Sequence, residues 1–379
     1  MKFKTPQVIV AIAIRTSFYH CNEPPYQPVK AECAFGYIPC ADDSTVCCPD
    51  TVGHVFEWEV FRFGEPGGAT NSWNDVTIDD HGAVWAVGKI FTDSINLEMA
   101  VYAGSEWELR DVQVPFQDHF TSPALFTINI VNDSTIWLQS DLPIKGNGVD
   151  WKLMDYRDSG LPDIIVGNAC IYCVNPGSCI YAGYMGRILK IDNDQYEFLD
   201  SPIGMTITTL SVSNGKYFAA AWNNSGDYMG QSALIYSLNG EDWLIHKQSS
   251  TFYPGVNSSD PGLIPSTIAF DDTCYHATSY GIYRFEPISG YDEQWFNQWE
   301  SKISGGTVYE MSGNTKNDFI LYNGDKTIIH YDGYNWWNYR IEEIEGGFFF
   351  SSLCFKDDMA VISGTSTSTG EAVIVIGRR

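Results

Sequence analysis

Read for its apolar and polar positions, this chain is a succession of short strands broken by polar turns. In the clearest unit, Val76 and Ile78 alternate with polar neighbours. Asp79-Asp80-His81-Gly82 then interrupts the run, and Val84-Trp85-Ala86-Val87-Gly88 resumes it. Residues 131–138 repeat the theme around Ile136-Trp137-Leu138, and weaker copies are anchored at 180–183, 217–220, 274–278, 319–322 and 359–364. A period of two marks strands with distinct faces, whereas an amphipathic helix needs apolar residues at i, i+3, i+4 and i+7. No sustained stretch of the helical kind occurs. Dipeptides such as Asn239-Gly240 and Asp332-Gly333 fall between apolar runs, where tight hairpins need positive-φ residues.

Repetition of strand and turn at a fixed spacing predicts an all-β chain, a β-propeller. Residues 54–379 give roughly 47 residues to each of seven four-stranded blades. Six or eight blades are the alternatives, because the third and fifth copies are weak. The seventh copy ends at the C-terminus one strand short. Residues 54–63 supply a spare alternating strand before the first copy. That strand is expected to complete the last blade and close the ring, which removes two open sheet edges. The predicted organisation is a signal-like segment at 1–20, a Pro- and Cys-rich tether at 21–53 and the propeller at 54–379.

Composition adds an environment. The 47 acidic against 22 basic residues give a formal charge of −25. Nucleic-acid binding requires clustered Lys and Arg to displace counterions, so that function class is excluded. At the N-terminus, Lys2 and Lys4 precede the apolar run Val8 to Ile14, as in a short secretory signal. The run is too short to span a bilayer. Cys21 stands where a bacterial lipoprotein carries its lipidated cysteine, although the residues before it do not form a lipobox. The chain holds ten cysteines. Cys33, Cys40, Cys47 and Cys48 follow a Pro-rich stretch and read as a disulfide knot, with zinc as the alternative. Cys173 and Cys179 flank the turn Asn175-Pro176-Gly177-Ser178 and are candidates for a hairpin disulfide. Cys274 and Cys354 read as small buried hydrophobes.

With a lipoprotein-like start, a Cys-rich segment and Trp-containing repeats such as Asn74 to Gly88, the chain resembles a broad group of exported bacterial propeller proteins. The resemblance implies an extracellular, cell-surface or periplasmic location and leaves the chemistry open. A second likeness is to the Asp-box turn of sialidases, at Ser237-Leu238-Asn239-Gly240-Glu241-Asp242-Trp243, which is one residue short and carries Asn for Asp. That motif is a structural hairpin and makes no catalytic claim.

Candidate chemistry is thin. Gly-x-Ser-x-Gly, His-Glu-x-x-His and phosphate-binding loops are missing from the sequence. His276 and His330 sit in strand patterns and read as structural. Asp192-Asn193-Asp194 and Asp271-Asp272 could offer oxygens to Ca²⁺, but read better as solvated turns, and no cofactor is expected. Arg187 and Arg284 each follow a glycine turn and could form a carboxylate-gripping pair. Two loops, 223–230 and 251–257, are longer than hairpins require and carry aromatic and amide side chains suited to glycan or peptide contacts. The candidate ligand-binding residues are Trp222, Asn224, Tyr228, Tyr253, Arg187 and Arg284. A non-catalytic binding or scaffold module for a protein partner at the cell envelope is expected. A glycan-binding or glycan-hydrolysing propeller is the alternative, with membrane contact only through a lipid anchor at Cys21.

Overall fold

In the computed structural model, the described residues are 37–39, 47–49 and 55–379, the last without 68–70, 93–95, 117, 160–169, 224–229, 253–259, 298–307, 325, 334 and 345. The chain divides into two compact units, 1–52 and 53–379. In the first, Tyr37–Pro39 pairs antiparallel with Cys47–Pro49, placing Ile38 opposite Cys48. Cys21, Cys33 and Cys40 lie outside the described residues, and the side chains of Cys47 and Cys48 are not described.

The second unit is a ring of seven four-stranded antiparallel sheets, the β-propeller expected from the repeats. The inner strands, in blade order, are Ser72–Ile78, Thr127–Asn132, Cys170–Asn175, Ile207–Ser213, Thr267–Phe270, Glu310–Thr315 and Phe348–Lys356. The weak third and fifth copies form full blades like the rest. Glu57–Phe63 pairs along its whole length with Ala372–Arg378 and becomes the outer strand of blade seven, closing the ring as predicted. Glu57 and Glu59 are exposed while Trp58 and Val60 between and after them are partly buried, the alternation of an edge strand with one wet face.

Seven apolar clusters hold the ring, one between each pair of neighbouring blades. Trp137, Tyr181 and Leu189 pack blade two on blade three. Phe319 and Trp295 join blades five and six, their rings 5.7 Å apart. Each sheet thus buries its faces only against its neighbours, the physical basis of repeat stability. Cys274 is fully buried, in the second strand of blade five, and Cys354 is partly buried in the inner strand of blade seven. Cys173 and Cys179 face each other across the first hairpin of blade three and form a disulfide.

Loops leave the blades on two faces of different character. On one, the inner and second strands join through tight polar turns, several of which bridge to the next blade. Lys356 reaches Asp80 at 2.6 Å, His81 reaches Asp133 at 3.0 Å and Lys216 reaches Asp272 at 2.6 Å. Asp192, Asn193 and Asp194 occupy a left-handed turn on this side, and Asp271 has φ 54°. Two of the turns are built around Trp: Asp79 accepts from the Trp85 indole at 2.9 Å and Asp332 from the Trp337 indole at 2.6 Å. At Ser237–Trp243 the Asn239 side chain accepts from the Glu241 and Asp242 N–H groups, which makes the Asp-box likeness a hairpin device. The C-terminal Arg379 locks closure on this face. It pairs with both oxygens of Asp318 in blade six, reaches Asp358 in blade seven, and lies over the rings of Phe56 and Phe355. His330 is completely buried and contacts Asp318 at 2.8 Å, a structural role. No helix among the described residues is long and apolar enough to cross a membrane.

Candidate channel-mouth site

On the opposite face the inner strands begin, and there they enclose a central cavity of about 860 Å³. Adjacent inner strands splay too far apart for a continuous ladder, so N–H groups along the channel need other acceptors. Side chains supply them from blade to blade. Ser211 accepts from the Ala269 N–H at 2.7 Å, Ser266 from Met311 at 3.1 Å and Ser312 from Phe355 at 2.9 Å. Asp75 serves the same purpose between blades seven, one and two. Its Oδ1 accepts from the Ser352 hydroxyl at 2.6 Å and its Oδ2 from the Ile128 N–H at 2.9 Å.

Strand irregularity aims these groups. Pairing shifts register between Trp73 and Asp75 in blade one, between Ile207 and Thr209 in blade four and between Phe350 and Ser352 in blade seven. Such bulges redirect side chains, and all three lie at the cavity. Gly88 stands opposite Trp73 at the first of them, where a Cβ would come within 2.1 Å of the Ser72 carbonyl oxygen. The glycine ending the Trp-Ala-Val-Gly motif is therefore what lets the chain seat Asn74 and Asp75 in the channel.

Two carboxyl groups reach the cavity, Asp75 and Glu310, and among the described residues lining it there is no Lys, Arg or His. Both residues are partly buried and line the channel. Burial pushes Asp75 up to about 6, against the pull of the Ser352 hydroxyl and the Ile128 and Val76 N–H groups. Burial, reinforced by the negative charge of Asp75, holds Glu310 well above the carboxylate range, although the Leu353 N–H opposes it. Charge in a low-dielectric site is costly, so burial disfavours the ionised form of both acids. Ser352 and Leu353 are consecutive in the inner strand of blade seven, so the two carboxyls flank that strand.

Aromatic side chains form the rim. Phe349 is 69% exposed and Tyr309 42%, while Phe350 stacks on Tyr322 with ring centroids 4.1 Å apart. Phe126, Phe348 and Trp222 complete the lining, and Trp222 meets Phe252 edge-on at 5.7 Å. Apolar surface held open on a rigid ring marks a contact site better than isolated exposed residues do.

Of the sequence-predicted residues, Trp222 is in this lining. Asn224, Tyr228 and Tyr253 lie outside the described residues, although Asn223, Gly230 and Phe252 place the ends of their loops on the same face. Arg187 closes a short turn between the second and third strands of blade three. Arg284 lies inside the third strand of blade five, opposite Glu293, with which it pairs while contacting Tyr291. The two arginines occupy different registers and neither lines the cavity, because Arg284 follows its glycine turn by three residues rather than one. Asp75, Glu310 and the Phe348-Phe349-Phe350 run are the site residues that sequence reasoning passed over.

No protein-family model matches the sequence, and no curated protein matches it either. Solved structures match in fold. YCF48 bound to a D1 peptide is 15% identical with a TM-score of 0.58, over 85% of this chain and 97% of that one. The WD40 propeller domain of Doa1 is 12% identical with a TM-score of 0.54, over 86% and 98%. The extracellular domain of BT4673 from B. thetaiotaomicron is 11% identical with a TM-score of 0.53, over 83% of this chain and 39% of that one. At these identities the chain is similar to them in being a β-propeller.

Proposed function

We propose that this chain is a non-catalytic binding module that holds a protein partner at its channel mouth. One observation carries the reading: seven inner strands converge on a cavity whose rim exposes Phe349 and Tyr309 instead of burying them. Aromatic rings give large contact area at little entropic cost, the usual property of residues that dominate interfaces. A similar propeller solved with a peptide bound is consistent with such use of the fold. The basic and apolar start at Lys2 to Ile14 and the cysteines at 33–48 support export, with 1–20 as the signal, 21–53 as a tether and Cys21 as a lipid attachment point.

Cross-linking mass spectrometry on native cell fractions tests the reading. Repeated links from this face to one protein support it, and background links alone remove it. A glycan reading has its own support in Trp222 and the edge-on Phe252, which together offer an aromatic platform. Retention on a carbohydrate array, lost in Trp222→Ala, would replace the protein partner with a glycan.

A further inference from the structure

The cavity has walls and a floor of opposite character, and that contrast specifies more than a site of contact. Its floor holds two carboxyls and its described lining holds no base. Asp75 and Glu310 are anchored on the two consecutive residues Ser352 and Leu353, so they stand on either side of one strand. The Thr209 hydroxyl lines the same cavity and is buried without a hydrogen-bond partner. The same cavity presents aromatic faces, including the Phe350–Tyr322 stack. A cation flanked by apolar groups complements each of these features, since π-faces and carboxylates both attract it. An anion would meet two acids and no donor of positive charge, and a purely apolar group would leave the Thr209 hydroxyl unsatisfied and the carboxyls without a counter-charge.

We propose that the occupant of the channel mouth is a single lysine or arginine side chain of a partner polypeptide, flanked by apolar residues that pack on Phe349 and Tyr309, with its charged end held between Asp75 and Glu310. This rests on the binding reading above and names its chemistry. Entry of the cation favours the carboxylate form of both acids, so Asp75, partly protonated near pH 6, gives up its proton. The proton goes to solvent, so association releases acid. Binding weakens as pH falls through the region where Asp75 takes up its proton, at about 6.

The test uses the full chain and four pools of synthetic hexapeptides, each with a fixed central Lys, Arg, norleucine or Glu and flanks drawn from Phe, Leu, Gly and Ser. At pH 7.5 the Lys or Arg pool should be retained at least about tenfold over the norleucine and Glu pools, and the preference should shrink several-fold at pH 5.5. Asp75→Asn and Glu310→Gln should each abolish it. Calorimetry of a retained peptide at pH 6 in buffers of different ionisation enthalpy should register proton release, which Asp75→Asn removes. Equal retention of norleucine and Lys pools, lost in Phe349→Ala, would overturn the cation while leaving the mouth as a binding site. Preference for the Glu pool would also overturn it. Failure of every pool to bind would overturn both the cation and the peptide-binding mouth.

Discussion

Replacing Asp75 by Asn should stabilise the protein at neutral pH, although Asp75 holds three blades together. The folded state lifts this carboxyl from an ordinary 3.8 to about 6, chiefly through burial. A raised acid means that the folded chain takes up a proton that the unfolded chain does not, between about pH 4 and 6. Stability therefore falls as pH rises through that window, by about 3 kcal/mol at about 1.4 kcal/mol per pH unit. Asn removes the charge. Its Oδ1 can accept from the Ile128 N–H and its Nδ2 can donate to the Ser352 hydroxyl, while the bond from the Val76 N–H is lost. One hydrogen bond is worth about 1 kcal/mol. The expected net gain is about 2 kcal/mol at pH 7.5, shrinking to under about 1 kcal/mol at pH 5. Other titrating groups largely cancel between the two proteins, apart from Glu310, whose relief acts in the same direction. Urea unfolding followed by tryptophan fluorescence at pH 5, 6 and 7.5 measures the difference, staying above the pI of about 4.4. An Asn variant less stable by the same amount at all three values would refute the argument, since it would show a hydrogen-bonding role without a buried charge. The gain also separates binding from folding, because a more stable variant that loses the cation preference has not lost it by unfolding.

Two further substitutions probe how the ring and the site are built. Gly88→Ala should cost about 2 kcal/mol, because the new Cβ meets the backbone of Ser72 and Trp73 rather than a movable side chain. Unchanged stability would show that the bulge at Asp75 tolerates a side chain opposite it. Arg379→Ala should also cost about 2 kcal/mol, by leaving the half-buried Asp318 without its cationic partner, held only by His330 and Asn314, and by uncovering Phe56 and Phe355. Denaturant midpoints measure both, and a midpoint for the Arg379 variant equal to wild type would mean that strand pairing alone closes the ring.

Much of the architecture was legible because it rests on local rules. Period-two alternation marks strands wherever one face is buried, and Asn-Gly or Asp-Gly turns mark where they reverse. The outer strand at 57–63 is recognisable because Glu57, Trp58, Glu59 and Val60 alternate polar and apolar as an edge strand must. The site was less legible, since its residues acquire meaning from neighbouring blades. Asp75 reads in sequence as a polar step in a repeat, yet its partners are 53 and 277 residues away. Glu310 is raised partly by Asp75, a coupling no local window contains. A usable signal was present in Gly346-Gly347-Phe348-Phe349-Phe350, where consecutive aromatics break the alternation and one must face outward. Trp222 was found because it borders an overlong loop. Arg187 and Arg284 were paired on their glycines, but register, set by the strand ladders, separates them.

The most direct test of a binding mouth is a paired photo-cross-linking experiment in the native setting. One variant carries Phe349→p-benzoylphenylalanine at the rim. The other carries Val149→p-benzoylphenylalanine, still more exposed, at a turn on the opposite face. The account predicts that position 349 captures one protein through a peptide containing Lys or Arg beside apolar residues, and that position 149 captures only background. Equal capture from both positions, or capture from 149 alone, would contradict it.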